Sequence, residues 1–221
     1  MIFRAYSFHL DQASFDATYQ EMYRCYERIL TRMELEFRAV QADTGNIGGD
    51  NSNEFHVLEK SGEDTIAYRD TGTYAANLEK AAALAPEPAP LGAETMSRVD
   101  TPNAKTIDAV AAQLGLPTSQ NVKTLIVEGE EDDALIAIIL RGDHELNEIK
   151  AAKLPGVASP LTFAAEERIP MAMGASVGSL GPVDCNIPLY VDASAASIAD
   201  FVCGANEDGV HFRGVNWQRD V

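Results

Sequence analysis

Three groups of residues in this sequence have the types that chemistry requires. The first centres on Lys123 in Asn121-Val122-Lys123-Thr124-Leu125-Ile126-Val127. Strand alternation puts Lys123, Leu125 and Val127 on one face and Val122, Thr124 and Ile126 on the other. A lysine sharing a face with aliphatic residues is either a snorkelling edge residue or an anion-binding group at a cleft, and spacing alone favours the edge. The second group is Gly174-Ala175-Ser176-Val177-Gly178-Ser179-Leu180-Gly181-Pro182. Its glycines let backbone N–H groups turn toward an anion or a developing oxyanion, although such loops are more often plain connections. It is not a phosphate-cradling P-loop, because no Gly-Lys-Ser/Thr ends it. The third group is Arg141-Gly142-Asp143-His144-Glu145-Leu146-Asn147-Glu148, with Asp192 and His211 further on. His144 and His211 suit acid–base work or a hydrogen bond to a ribose. Asp143, His144 and Glu145 are consecutive and cannot all face one metal ion, so no zinc site is expected. With no Gly-x-Ser-x-Gly elbow, a hydrolase built on this chain would use water as its nucleophile.

The elements that must hold these groups follow from periodicity. Phe15, Tyr19, Met22, Tyr26, Ile29, Leu30 and Met33 recur at helical steps, which predicts a helix over 11–33. Strands are expected at 35–40 and 54–58, flanking the glycine loop 43–51, in an antiparallel sheet with the helix on one face. A helix is expected over 73–84. The Pro/Ala connector 85–92 follows, unable to form regular structure. Thr101-Pro102 predicts a cap and first turn for a helix over 103–114, ended by Gly115. Val122–Val127 and Ala134–Leu140 read as a hairpin whose tip, Glu128 to Asp133, is solvated. Helices near 146–153, 164–173 and 194–202 and strands near 187–192 and 210–216 complete a mixed α/β (α+β) chain. The domain transition is expected between residues 62 and 95, placed as 1–65 and 66–221.

Composition bounds the partners. Thirty-four acidic residues against 17 Lys and Arg leave a net charge of −17. Duplex binders gain affinity by neutralising phosphates with basic side chains, so a long nucleic acid is an unsuitable partner and only a single-stranded end is plausible. No apolar run is long enough for a membrane span. The N-terminal residues lack a secretory signal, and Cys25, Cys185 and Cys203 are widely spaced. Reduced thiols in a cytoplasmic protein are the expectation.

Beyond these readings, long blocks of the sequence resemble a known family. Ala5-Tyr6-Ser7-Phe8-His9 and Phe37-Arg38-Ala39-Val40-Gln41-Ala42-Asp43-Thr44-Gly45 with Ile47-Gly48-Gly49 resemble the catalytic domain of bacterial prolyl-tRNA synthetases. Val99 to Ile107, Val122 to Leu125, Arg141 to Glu148, Ala158 to Leu161, Gly178 to Pro182, Gly204 to Asn206 and Asn216 to Val221 resemble the inserted editing domain of the same enzymes. The family usually has Ser-His-Glu-Phe where this chain has Ser52-Asn53-Glu54-Phe55.

The resemblance implies a YbaK-like editing domain with a mixed sheet surrounded by helices. A helix-plus-antiparallel-strand stub of a class II catalytic domain precedes it. It implies hydrolysis of alanine mischarged onto proline tRNA. Lys123 would meet the terminal nucleotide, and Gly178, Gly181 and Pro182 would form the loop lining the alanyl pocket. Asp192 and His211 would be further editing positions, with His144, Ser179 and Leu180 contacting substrate. Editing would need no cofactor, whereas ligation by the full synthetase, a homodimer, would use ATP and Mg, with neither ATP-binding arginine matched here. The implied partners are the aminoacylated 3′ end of proline tRNA and the remaining synthetase domains. A free-standing trans-acting deacylase and a non-catalytic tRNA-positioning module are the competing readings.

Overall fold

The computed structural model describes residues 6–42, 52–62 and 64–221. The chain divides into two units, Met1–Ala82 and Ala83–Val221. The predicted glycine loop at 43–51 lies outside the described residues.

In the first unit the aromatic stripe of the leading helix dictates the packing. Helix α1 (Gln12–Arg32) begins at Asp11, whose carboxylate accepts from the Ser14 amide at 2.7 Å. Tyr23 and Tyr26 lay their rings on Phe55, at centroid separations of 5.0 and 5.6 Å, and Phe55 meets Phe37 at 5.9 Å. The helix thus covers a sheet of β1 (Phe37–Gln41), β2 (Asn53–Val57), β3 (Ile66–Tyr68) and β4 (Ala75–Asn77), in the order β2-β1-β4-β3. The β1–β2 pair is antiparallel as expected, but β4 runs parallel to β1, so the sheet is mixed. The helix expected over 73–84 is absent. Ala75 and Ala76 are buried within β4, and a turn at Asn77 follows, with the Lys80 and Ala81 amides donating to its carbonyl. Alanine-rich sequence favours a helix, yet strand neighbours on both sides override that propensity. Residues 66–82 consequently lie in the first unit, beyond the boundary expected at 65/66.

The second unit opens with the Pro/Ala connector, which is irregular but anchored. The Ala89 amide donates to Ser197 O, and the Gly92 amide donates to Asn216 Oδ1. Three sheet strands follow from distant parts of the chain: β5 (Ser97–Asp100), β9 (Phe201–Gly204) and β10 (Val210–Val215), ordered β5-β10-β9 and antiparallel throughout. A second sheet joins β6 (Val122–Glu128), β7 (Leu135–Arg141) and β8 (Leu189–Val191), with β6–β7 the predicted hairpin and β7–β8 parallel. A bridge between Asn121 and Val202 connects the start of β6 to β9.

Alternation along β6 holds. Val122 and Ile126 join one core with Ile139, Leu180, Phe201 and Val215, while Leu125 and Val127 pack in another with Ile136, Ile138 and Leu140. Buried on both faces, the hairpin reads as near-continuous apolar sequence. Short helices α3 (Glu148–Ala151), α4 (Ile169–Met173), α5 (Ala193–Ala196) and α6 (Trp217–Asp220) replace the longer ones expected. The helix expected over 194–202 gives way to β9 because Phe201, Val202 and Cys203 are buried strand residues. Among the described residues no helix is long and apolar enough to cross a membrane.

Helix α2 (Ile107–Leu114) starts later than its sequence suggests. Thr106, not Thr101, caps it, accepting from the Ala109 amide at 3.2 Å, and Gly115 ends it at φ 67°. Thr101 is recruited elsewhere. Removing the actual cap should cost about 0.5–2 kcal/mol. Thr106→Ala should lower the melting temperature by that equivalent in a denaturation experiment, and an unchanged melt would show that the cap is dispensable.

Candidate active site

Where α2, the start of β6 and the β9–β10 pair meet the loop after α4, they leave a cavity of about 180 Å³. Its walls include Thr124, Lys123, Gly178, Leu180, Gly204 and His211. Lys123, Gly178, Leu180 and His211, four of the residues singled out by sequence, therefore share one space.

His211 is the buried titratable group of this cavity. It sits on β10 opposite Gly204 of β9, and only 5% of its surface is exposed. Its Nδ1 shares a 2.6 Å hydrogen bond with Thr101 Oγ1, a side chain with no exposure at all. Burial disfavours the charged imidazolium, so the pKa of His211 falls below the ordinary histidine value. A neutral imidazole fixed at Nδ1 leaves Nε2 for proton transfer. Thr101 was missed as a site residue because Thr-Pro resembles a helix start; its pairing with a histidine 110 positions away carries no local signal.

The loop between Gly178 and Pro182 separates into two roles. Ser179, Gly181 and Pro182 secure it. Ser179 Oγ accepts from the Gly209 amide at 3.0 Å, and Pro182 is fully buried. The Gly181 amide donates to Asn206 Oδ1 at 2.9 Å, while Asn206 Nδ2 donates to Gly181 O and Val183 O. That Gly181 amide is engaged and is not free to face a substrate carbonyl. Gly178 and Leu180 line the cavity instead, and their amides have no partner among the described residues.

Two further polar atoms stand out. Thr124 Oγ1 and Asn121 Oδ1 are buried without a hydrogen-bond partner, a condition that costs about 1–3 kcal/mol for each group. Thr124 lies at 8% exposure between Val122 and Ile126.

Lys123 occupies the opposite face of β6 from Thr124. Its Nζ lies 3.3 Å from Glu145 Oε1, and 19% of its side chain is exposed against 94% for Glu145. Such an ion pair contributes little to stability, typically about 0–1 kcal/mol. Glu145 belongs to a second cavity of about 340 Å³ that also holds His144 and Asp192. The structure does not bring these two residues to His211. The His144 Nδ1 and Asp192 Oδ1 atoms are 4.0 Å apart, and Asp192 caps α5 by accepting from the Ser194 amide at 2.9 Å. Arg141 clasps Asp143 and reaches His144, and its hydrogen bond to Asp143 holds that carboxyl below the usual carboxylate range. Burial pushes the Cys203 thiol far up, which denies the chain a nucleophilic thiolate there.

Comparison with known proteins gives this geometry its family. A model of the aminoacyl-tRNA editing domain matches residues 101–220, and the chain belongs to that family. Two solved structures are similar over part of the chain. One, described as a candidate trans-editing enzyme for prolyl tRNA synthetase, is 26% identical, with a TM-score of 0.47, covering 53% of this chain and 74% of its own. The other, a hypothetical protein, is 27% identical, with a TM-score of 0.44, covering 53% and 79%.

Two outcomes follow from this geometry. A Cβ at Gly181 would come within 1.9 Å of Gly204 O, so Gly181→Ala should lose melting temperature and any activity together, with overpacking of about 1–3 kcal/mol. A variant with normal melting and impaired catalysis would contradict that packing role. For His211, the unfolded chain takes up a proton near pH 6.5 and the folded chain only at lower pH. Its contribution is therefore intact above pH 6.5 and lost as pH falls through the folded pKa. Melting curves should show wild type losing more stability than His211→Gln between pH 7 and 5 (~2 units across this window). Equal losses would mean that burial does not perturb His211.

Proposed function

We propose that the second unit hydrolyses the ester of aminoacyl-tRNA, with alanine on proline tRNA as its substrate. The observation that supports this most directly is a buried His211, its imidazole held neutral by burial, in a small cavity it shares with Gly178 and Leu180, within the segment matched by the editing family. No carboxylate lines this cavity among the described residues, whereas Lys105 does, and so does Lys123, whose ammonium turns to Glu145. Such walls favour negative charge developing on an ester oxygen over a bound cation.

In this reading His211 Nε2 takes a proton from water while Nδ1–H donates to Thr101 Oγ1. The water oxygen bonds to the carbonyl carbon, and the carbonyl electron pair moves to its oxygen. Collapse of that intermediate expels the ribose oxygen, which takes the proton back from His211. Free amino acid and a tRNA with a free terminal hydroxyl result. An aminoacyl ester is already activated, so this chemistry needs no covalent nucleophile.

The choice of alanine follows from size. A site built for proline cannot reject the smaller alanine well, so a second, smaller site must remove it. With a net charge of −17, the chain would engage the single-stranded 3′ end and draw other affinity from further domains. Resemblance of Ala5 to His9, Phe37 to Gly45 and Ile47 to Gly49 to the catalytic domain of prolyl-tRNA synthetases supports placing the unit within such an enzyme, whose ligation would use ATP and Mg. A free-standing deacylase is the second reading, supported by the family match lying wholly within the second unit.

The test is release of amino acid from alanyl- and prolyl-tRNA of the proline isoacceptor, using the whole chain. Alanyl ester should be cleaved at least about tenfold faster, the discrimination that about 1.4 kcal/mol provides. Equal cleavage of both would overturn the alanine preference, and cleavage of neither at high protein concentration would rule out the hydrolytic reading and leave a tRNA-positioning module. Lys123→Ala should weaken cleavage or shift the preference while stability moves by less than about 1 kcal/mol. Normal rate and selectivity would make Lys123 an edge residue held by Glu145.

A further inference from the structure

Thr124 sits where a valine would pack. Its strand neighbours on the same face, Val122 and Ile126, belong to an aliphatic core, and its cross-strand partner Ile139 is completely buried. Valine has the same shape and greater strand preference, and it would leave no hydroxyl without a partner. Yet Thr124 Oγ1 is buried and unpartnered in the wall of the cavity that holds His211. A role for that hydroxyl requires the χ1 rotamer in which it, in place of the methyl, meets the cavity.

We infer that Thr124 is a catalytic residue whose hydroxyl donates to the ester carbonyl oxygen as that oxygen becomes negative. This rests on the hydrolytic reading above and extends it to a residue that sequence spacing had placed only on a strand face. The electrical surroundings select the ligand group. No carboxylate and one lysine, Lys105, line the cavity apart from Lys123, whose ammonium turns to Glu145, so among the described residues a donor there is better matched to a developing oxyanion than to the substrate ammonium. As water bonds to the carbonyl carbon and its proton passes to His211, the carbonyl electron pair settles on the oxygen. Thr124 Oγ–H donates to that oxygen and keeps its own proton. When the ribose oxygen leaves, the carbonyl re-forms and the hydrogen bond weakens.

The experiment compares the whole wild-type chain with Thr124→Val and Thr124→Ser. Single-turnover cleavage of alanyl-tRNA of the proline isoacceptor should fall about 10²–10³-fold in maximal rate for the valine variant, with half-saturation little changed. The serine variant should recover most of that loss. The valine variant should melt at or above the wild-type temperature, because an unpartnered buried hydroxyl has been removed. A phosphonate analogue of alanyl-adenosine, which carries charged oxygens at the tetrahedral centre, should bind wild type more tightly than the valine variant. The neutral amide analogue should bind both equally. A valine variant with full activity, or with both analogues weakened alike, would overturn the inference, as would a lowered melting temperature. If the wild type cleaves no aminoacyl-tRNA, the hydrolytic reading fails by itself. The phosphonate-over-amide preference and its loss on Thr124→Val then still decide whether this hydroxyl meets a charged oxygen.

Discussion

Gly181 and Gly204 bring two stretches of backbone so close that neither position has room for a side chain. A Cβ on Gly181 would meet Gly204 O at 1.9 Å, and one on Gly204 would meet Ser179 O at 2.2 Å. This approach seats the loop after α4 directly on β9, and Asn206 holds it there through three hydrogen bonds to Gly181 and Val183. The cavity exists because of that seating. Gly178 and Leu180 lie between these fixed points and line the same cavity as His211.

The same construction explains why the polar groups of the site are tolerated. Thr101, His211 and Thr124 are all buried, and the folded unit bears the desolvation of each. Thr101 and His211 satisfy one another. The remaining cost at Thr124 is a small fraction of what the two apolar cores on either face of β6–β7 contribute. Elsewhere the unit closes its ends with charge-assisted contacts. Asp200 accepts from the amides of Ala93 and Glu94 and from Asn216 Nδ2, and the Asn216 bond in particular lowers its pKa. That latch ties the irregular connector to the start of β9, so the connector acts as a fastening of the second unit.

Much of this was legible in sequence where a single local rule governs the outcome. The α1 stripe, the β6–β7 hairpin, the Gly115 stop and the face alternation around Lys123 each follow from spacing within one element. What escaped depended on partners far along the chain. β4 reads as helix until its neighbours in the sheet are known, and β9 reads as the end of a helix until Phe201 and Cys203 are seen buried. Thr101 reads as a cap until His211 is placed beside it. The loop from Gly178 to Pro182 was recognisable as a unit, but only the Asn206 contacts separate the residues that secure it from those that line the cavity.

The hairpin also sets how the two cavities are related. Two cavities border it, one lined by His211 and Thr124 and the other by His144 and Asp192. Lys123 links them: it lines the first while its ammonium reaches Glu145 of the second. A strand residue can do this because β6 lies at the edge of its sheet, with β7 on one side only along its centre. Bridges from Asn121 to Val202 and from Val127 to Phe163 cover that edge near its two ends. The stretch between them, Lys123 to Leu125, faces the cavity rather than another strand, and it contains both the cation and the unpartnered hydroxyl. An interrupted strand edge normally invites pairing with another chain. Here the gap is short, enclosed by α2 and the loop after α4, and large enough only for a small ligand group.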